Sequence, residues 1–244
     1  MSDEESKQRA LSRVERVVAD SEAAEGILSA FKAGLSLLPI GSMIASLITD
    51  FIPSARALRL EEFAAKTAED LRELAEEVEA DYIKTDDFAF MFERCFRGVA
   101  ENPQQEKIEA FRGILVNSAI RKDYSAEEKE YFVNLVNNLS ALHIRILRFL
   151  HDPDEYLKAA GIPENRIEGG FQQFMPIAIP GVEIRVLKSA FGDLYRFGLT
   201  NTDQSIFTTM TSSQGMRLLG GAGSRVTDFG TRFIQFCISP AKAK

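Results

Sequence analysis

The order of helical and extended segments between residues 139 and 236 restricts the fold of this 244-residue chain more than any other feature. An amphipathic helix is predicted from Leu139 to Leu150, and a second one follows after a stretch rich in glycine and proline. Two short extended segments come next, and the region closes with a helix capped by Thr227 or Asp228. This order is typical of a winged helix, in which three helices pack with a small β-hairpin.

The β part of this predicted module is short. One strand is predicted from residues that alternate across it, namely Ile206, Thr208 and Met210. Met216–Leu219 is the candidate second strand. The helix before them is expected to end at Gly198, with Leu199 packing back into the core. Residues 162–179 are predicted to be irregular, because they contain two adjacent glycines and a proline.

Residues 8–138 repeat their apolar positions at helical spacing almost throughout, and their connections are short. Short connections favour antiparallel neighbours in a bundle. The longest helix is predicted from Ser54 to Ile83, and its apolar seam either packs within its own chain or pairs with a second copy. The seam residues are Leu60, Ala64, Thr67, Leu71, Leu74 and Val78.

These patterns together predict a mainly α protein. An N-terminal helical bundle occupies residues 8–138, and a winged-helix-like α+β module with a small β-hairpin occupies residues 139–239. Residues 1–7 and 240–244 are predicted to be flexible tails.

Residues 33–52 form the most apolar part of the chain, and residues 33–49 carry no charge. Pro39 and Gly41 interrupt this segment, which favours two short helices over a single membrane span of about 20 residues. A hairpin buried in the protein core is one interpretation, and a hairpin that inserts into a membrane is the alternative. In either case its apolar contacts come from Leu35, Leu38, Ile40, Met43, Ile44, Leu47 and Ile48.

Composition and motifs give little indication of an enzyme, and we assign no catalytic, cofactor-binding or metal-binding residue. His143 and His151 are eight residues apart, which is not the spacing of zinc ligands on a helix. Cys95 and Cys237 lie in apolar surroundings typical of unreactive buried thiols in a reducing compartment. The glycine-rich loop at residues 220–225 lacks the Gly-Lys-Ser/Thr ending of a phosphate-binding loop, so we interpret it as a turn.

The charge of the chain is uneven. Residues 1–150 carry 19 Lys and Arg against 27 Asp and Glu, a net charge of −8, whereas residues 151–244 carry a net charge of +1. Contacts to a protein partner or weak contacts to nucleic acid would come from the basic residues of the C-terminal module. These residues are Arg185, Lys188, Arg196, Arg217 and Arg225. Five cations beside an acidic half are few for DNA, so a protein partner or self-association is expected.

The segment Val226-Thr227-Asp228-Phe229-Gly230-Thr231-Arg232-Phe233 resembles the close of bacterial proteins of the abortive-infection alpha type, which end in a Leu-Thr-x-Phe-Gly-x-x-Phe pattern. Residues 139–150 are similar to the helix that opens the C-terminal module of those proteins. Val226 replaces the usual leucine, and the apolar residues 33–52 are not part of the pattern. The resemblance implies an accessory or phage-defence protein in bacteria, and it assigns no functional residue.

Two functional hypotheses follow. The first is a cytoplasmic, non-enzymatic interaction or regulatory protein, with no cofactor, that acts through protein–protein contacts of its bundle and winged helix. The alternative is a membrane-active effector, peripheral to the inner membrane, that inserts the hairpin 33–52.

Replacing Leu38 with aspartate distinguishes the two hypotheses. If the hairpin is core, Leu38→Asp buries an unpaired carboxylate, and we expect the protein to unfold or aggregate without any membrane present. A thermal melt and a liposome flotation assay are the measurements. A well-folded Leu38→Asp variant with an unchanged melting temperature, whose parent permeabilises liposomes, would contradict the core hairpin and favour the effector.

Overall fold

The computed structural model describes residues 57–78, 82–208, 215–219 and 225–240, and these residues are mainly helical. The nine α-helices of this part are α1 (Ala57–Glu73), α2 (Asp86–Glu101), α3 (Gln105–Ile120), α4 (Ala126–Asn138), α5 (Ala141–His151), α6 (Pro153–Ala159), α7 (Phe171–Ala178), α8 (Ile184–Arg196) and α9 (Asp228–Phe236). Short 3-10 turns lie at 82–84, 164–166, 204–208 and 215–218. The N-terminal tail, the predicted hairpin 33–52 and residues 241–244 lie outside the described residues.

The chain divides into two compact units. The first unit contains residues up to Asn138 together with residues 236–244, and the second contains residues 139–235. The last residues of the chain therefore group with the N-terminal bundle, although the sequence pattern placed residues up to 239 in the C-terminal module.

In the first unit, α1 packs its predicted seam inside its own chain. Leu60, Ala64 and Leu71 are at most 1% exposed, and Phe63 meets Phe96 of α2 edge-on with ring centroids 5.0 Å apart. The helix ends at Glu73, earlier than the predicted Ile83, and continues as a turn. Residues 75–78, which follow Leu74, are exposed or half-buried, so continuing the helix through them would gain little from packing.

Two helices of the first unit begin at the capping residues that their sequences offer. The Phe88 backbone N–H donates to the Thr85 hydroxyl at 3.3 Å at the start of α2. The Glu128 backbone N–H donates to the Ser125 hydroxyl at 3.2 Å at the start of α4. Each cap satisfies one of the amide groups that have no partner within the helix.

Residues 236–240 are held against α3. The side-chain amide of Asn117 donates to the Phe236 carbonyl at 3.0 Å and to the Ile238 carbonyl at 2.8 Å. Gly113, one turn earlier on α3, lies so close to the Cys237 carbonyl that a Cβ atom there would overlap it. The Ser239 hydroxyl also donates to Asp70 of α1 at 2.6 Å. This C-terminal segment is therefore part of the packing of the first unit.

The second unit is built around buried aromatic rings. Phe171 packs edge-on against Phe191 and Phe207, with ring centroids 5.6 and 5.7 Å apart, and Phe149 meets Phe174 at 6.2 Å. All five rings are at most 3% exposed. Offset and edge-on arrangements of this kind add to the stability that comes from apolar burial alone.

The predicted β-hairpin is wrong for the residues that the structure describes. The first predicted strand begins in a 3-10 turn at Gln204–Thr208, and the second coincides with a 3-10 turn at Gly215–Leu218. Met210 lies outside the described residues. Within those residues, extended pairing is limited to one isolated antiparallel bridge between Thr200 and Val226. Asp203 favours the turn, because its carboxylate accepts from the Ser205 backbone N–H at 2.9 Å.

The irregular segment predicted at 162–179 instead contains α7. Helix α7 starts after Gly170, whose N–H donates to the Gln173 side chain at 3.0 Å. Pro176 lies inside it. Phe174 and Met175 are fully buried, so apolar burial outweighs the cost of a proline in this short helix.

Helix α8 ends as predicted. Gly198 has a positive φ of 71°, and its N–H donates to the Tyr195 carbonyl at 2.9 Å. The Leu199 N–H donates to the Leu194 carbonyl at 2.9 Å, and Leu199 is fully buried. This pair of hydrogen bonds is a Schellman motif, which requires a left-handed residue that glycine adopts without strain.

The segment 226–230 that resembles the abortive-infection pattern has a structural role at each polar or small position. The Thr227 hydroxyl donates to the Gly198 carbonyl at 2.6 Å and accepts from the Gly230 N–H at 2.9 Å, which caps α9. A Cβ at Gly230 would overlap the Leu199 carbonyl. The motif therefore fixes how α9 packs beside the end of α8 within the second unit.

The contact between Gly113 and the C-terminal segment predicts the effect of a single methyl group. Alanine normally stabilises a helix interior by about 1 kcal/mol relative to glycine. We expect Gly113→Ala to destabilise the protein instead, by about 1–3 kcal/mol, because the methyl group overlaps backbone atoms of Cys237. Urea unfolding followed by circular dichroism measures the change.

Gly192→Ala in α8 is the matched control. Its Cβ would meet only the flexible Gln204 side chain, at 3.3 Å, so this variant should be neutral or slightly stabilised. An equal change in the free energy of unfolding for Gly113→Ala and Gly192→Ala would contradict the packing described for Gly113.

Candidate functional site

Helix α8 of the second unit carries three of the five basic residues that the sequence singled out. Arg185 and Arg196 have side chains 82% and 79% exposed, and they are eleven residues apart, which is about three helical turns. They therefore point to the same side of the helix. Lys188 is half-buried, and its ammonium lies 5.8 Å from the ring centroid of Phe207. It contributes more to packing than to a cationic surface.

The other two basic residues lie elsewhere in the second unit. Arg217 is exposed on the 3-10 turn at 215–218. Arg225 is half-buried, and its Nε donates to the Leu218 carbonyl at 3.1 Å. Arg225 thus ties the segment before α9 to this turn, and its role is structural.

Exposed apolar side chains accompany Arg185 and Arg196, and the sequence analysis did not single them out. The described residues expose four large apolar side chains, and three of them lie on α8 or directly after it: Val186, Tyr195 and Phe197. Val186 and Phe197 are again eleven residues apart, so they lie on one side of the helix, about 100° around its axis from the two arginines and next to them on the exposed surface. We name this surface, made of Arg185, Val186, Arg196 and Phe197, the α8 outer face.

The opposite side of α8 holds the helix rigidly in the unit. Leu187, Phe191 and Leu194 are fully buried, and the Phe191 ring packs edge-on against Phe207 at 5.5 Å. A surface on such a helix is pre-organised, so a partner that binds it has little side-chain or backbone freedom to freeze.

Carboxylates of the same chain reduce the positive charge of the outer face. Arg185 pairs with Glu183, and Arg196 pairs with Asp193 at 3.1 Å. Asp193 also lies 3.5 Å from Nε2 of His143. The face is therefore apolar and mixed in charge, and it differs from the unpaired cationic surface that phosphate backbones attract.

His143 belongs to a Ser–His–Asp grouping that has to be weighed as catalytic. The Ser140 backbone N–H donates to Nδ1 of His143 at 3.0 Å, and the Ser140 Oγ lies 2.7 Å from the same nitrogen. Nδ1 thus accepts the hydrogen bond that starts α5, and Nε2 faces Asp193. The grouping serves as a helix cap tied to α8.

The His143 environment also sets a pH dependence. Burial lowers the pKa of His143 below its ordinary value of 6.5, and the nearby Asp193 opposes that shift. The unfolded chain therefore takes up a proton more readily than the folded one. The contribution of His143 to stability is present above about pH 6.5 and is lost as the pH falls below it.

The remaining candidate groups are also structural. Burial raises the pKa of the Cys95 thiol far above its ordinary range, and Cys237 is buried. Among residues 57–78, 82–208, 215–219 and 225–240, no three His, Cys, Asp or Glu side chains are grouped so that they could hold a metal ion. In the same ranges, no helix is long and apolar enough to cross a membrane.

Comparison with known proteins gives no relative. No protein-family model matches the chain, and no curated protein or solved structure matches it either.

Proposed function

We propose that the protein is a non-enzymatic interaction protein whose second unit binds a protein partner through the α8 outer face. One observation supports this most directly: Val186 and Phe197 are 46% and 37% exposed on a helix whose other side is fully packed. An aromatic residue and arginines around an apolar centre are the residue types enriched at protein interfaces.

A protein partner fits the α8 outer face better than DNA does. Arg185 and Arg196 already pair with Glu183 and Asp193, and the whole chain carries a net charge of −7. Binding to DNA depends on unpaired cations that displace counterions from phosphates. An interface with a partner protein tolerates such pairs at its polar rim.

We also propose that the second unit is related to winged-helix modules through the arrangement of its helices. In it, α5, α6 and α8 correspond to the three helices, and the Thr200–Val226 bridge corresponds to the base of the wing. The β-hairpin itself is not included, because the described residues fold as 3-10 turns there.

The cellular setting that we propose is the bacterial cytoplasm, in a phage-defence or other accessory role. It is based on the resemblance of residues 139–150 and 226–233 alone. Since Thr227 and Gly230 have packing roles in the structure, the motif supports a shared module and says nothing about chemistry.

The alternative, a membrane-active effector, rests on the charge-free residues 33–49. These residues lie outside the described part of the chain. The liposome experiment on Leu38→Asp tests this alternative separately from the α8 outer face.

Site-specific photo-crosslinking tests the α8 outer face. A benzophenone amino acid at position 186 or 197 should give a discrete covalent adduct in bacterial cells, either with a partner or with a second copy of this chain. The same group at position 131 is the matched control, because Tyr131 is an exposed aromatic residue of the first unit, 51% exposed. Mass spectrometry identifies the adduct and separates self-association from binding to another protein.

A second variant excludes misfolding as the cause of a negative result. Phe197→Ser, combined with the crosslinker at 186, should abolish the adduct while changing stability by no more than about 0.5 kcal/mol, because the replaced side chain lies on the surface. Identical crosslinking from positions 186, 197 and 131, or no discrete adduct from 186 and 197, would contradict the proposal.

A further inference from the structure

The first unit contains a cleft that shares no residue with the α8 outer face. It has a volume of about 320 Å³ and lies between the 3-10 turn before α2, the end of α3 and the start of α4. At about 30 Å³ for each water molecule, this volume equals roughly ten waters. Cavities that bind small molecules begin at about this size.

A buried lysine lies at the wall of this cleft. Lys129 is 5% exposed, and its Nζ donates to the Ser118 carbonyl at 3.3 Å. The ammonium also lies 4.2 Å from the ring centroid of Tyr82. Within the described residues no carboxylate lies within ion-pair distance of it, and a buried charge without such a partner is costly. Asp87 and Asp123 attract Lys129 from beyond that distance, and an anionic ligand in the cleft would supply a carboxylate or phosphate partner in direct contact.

The cleft also provides a phenol that can donate a hydrogen bond. Burial, with a further contribution from the carboxylate of Asp87, raises the pKa of Tyr82 to about 12. Its hydroxyl therefore keeps its proton at neutral pH. Burial lowers the pKa of Lys129, against the attraction of Asp87 and Asp123. An anion in the cleft would raise the pKa of Lys129 again, so binding and protonation support each other.

Further charged and aromatic residues line the cleft: two more cations, Arg121 and Lys122, stand against the one carboxylate of Asp87. The guanidinium of Arg121 lies 4.9 Å from the ring centroid of Tyr124, and the same group pairs with Asp123 at 2.9 Å. Both Arg121 and Tyr124 line the cleft. Tyr124 is buried, and the partly exposed Arg121 guanidinium that stacks on it offers the flat face, which suits a planar ring better than an aliphatic chain.

We propose that this cleft binds a small aromatic or otherwise planar anion, with its carboxylate or phosphate group on Lys129 and Tyr82 and its ring beside Tyr124. The ligand class follows from one buried amine with no carboxylate within ion-pair distance, one protonated phenol and the Arg121–Tyr124 stack around about 320 Å³. The site is independent of the proposed protein interface, so each can fail without the other.

Direct titration of the full-length protein tests the site. The probes are benzoate, phenyl phosphate and inorganic phosphate, with benzyl alcohol as the uncharged comparison, and isothermal calorimetry measures their binding. Benzoate or phenyl phosphate should bind with a Kd at or below the millimolar range, more tightly than inorganic phosphate and benzyl alcohol. Comparing the carboxylate with the phosphate shows which of the two anionic groups the site prefers.

Two lysine variants separate binding from stability. Lys129→Met keeps most of the length of the side chain. It should lower the affinity for the anion by about 10- to 100-fold, which corresponds to the loss of one hydrogen bond to a charged group. Lys107→Met is the matched control. Lys107 is equally buried, at 4%, and its Nζ also donates to a helix-end carbonyl, that of Asn137, at 3.0 Å. It does not line the cleft, so Lys107→Met should bind like the parent.

Amide chemical-shift mapping of the parent protein gives a result that does not depend on the variants folding. Phenyl phosphate should shift the backbone amides of Ser118, Ala119 and Ala126, which line the cleft. Saturable shifts at these amides support the proposal. No saturable binding of benzoate or phenyl phosphate at millimolar concentration, shifts confined to other residues, or an equal loss of affinity in Lys107→Met would overturn it.

Discussion

The two hydrogen bonds from Asn117 to the backbone of residues 236–240 are the interaction on which the arrangement of this chain depends. The amide of Asn117 donates to the carbonyls of Phe236 and Ile238, which lie 119 and 121 residues further along the sequence. The second unit, residues 139–235, is thus an insertion between two parts of the first unit. One side chain on α3 decides where the chain returns after that insertion.

Close packing reinforces this return. Gly113 allows the Cys237 carbonyl to approach the α3 backbone, and the Phe236 ring lies 4.5 Å from Tyr124 and 5.7 Å from Phe132. These contacts bury apolar surface and satisfy backbone acceptors in the same few residues. An unsatisfied buried carbonyl is costly, so these hydrogen bonds fix the position of residues 236–240 more narrowly than apolar burial alone would.

A buried charged network adds specificity beside it. Asp70 accepts the Ser239 hydroxyl at 2.6 Å and lies 3.2 Å from Nε of Arg112, which also pairs with Glu109 at 3.0 Å. The Arg112–Asp70 distance is that of an ion pair, but its direction is not that of a hydrogen bond. Such buried pairs contribute little net stability, although removing one partner is strongly destabilising. We therefore interpret the network as setting the position of Ser239.

The sequence predicted the helices well where a local pattern is sufficient. The apolar seam of α1, the cap of α9 at Thr227 and the end of α8 at Gly198 all follow from periodicity and capping chemistry. Prediction from the sequence failed where tertiary contacts outweigh local signals. Helix α7 forms despite Pro176, and the short alternation at Ile206 folds as a 3-10 turn. A pattern of three residues is too short to distinguish a strand from a turn.

The functional surfaces were predicted only in part. The arginines of α8 were visible as a basic cluster, but the exposure of Val186 and Phe197 depends on which side of the helix the core covers. The cleft was missed, because Tyr82 and Lys129 are 47 residues apart and form no motif. A lysine among the apolar residues of α4 was the available signal, and its burial appears only after the helices are packed.

Hydrogen exchange in the Asn117→Leu variant tests the central claim most directly. Leucine keeps the branched shape of Asn117 but leaves the carbonyls of Phe236 and Ile238 without their donor, so the free energy of unfolding should fall by about 2–4 kcal/mol. Amides of residues 236–240 and of α3 should lose protection together. Asn137→Leu, which removes only a side-chain bond to Val133 within α4, is the control and should leave that protection unchanged. Unchanged protection of residues 236–240 in Asn117→Leu would contradict the account.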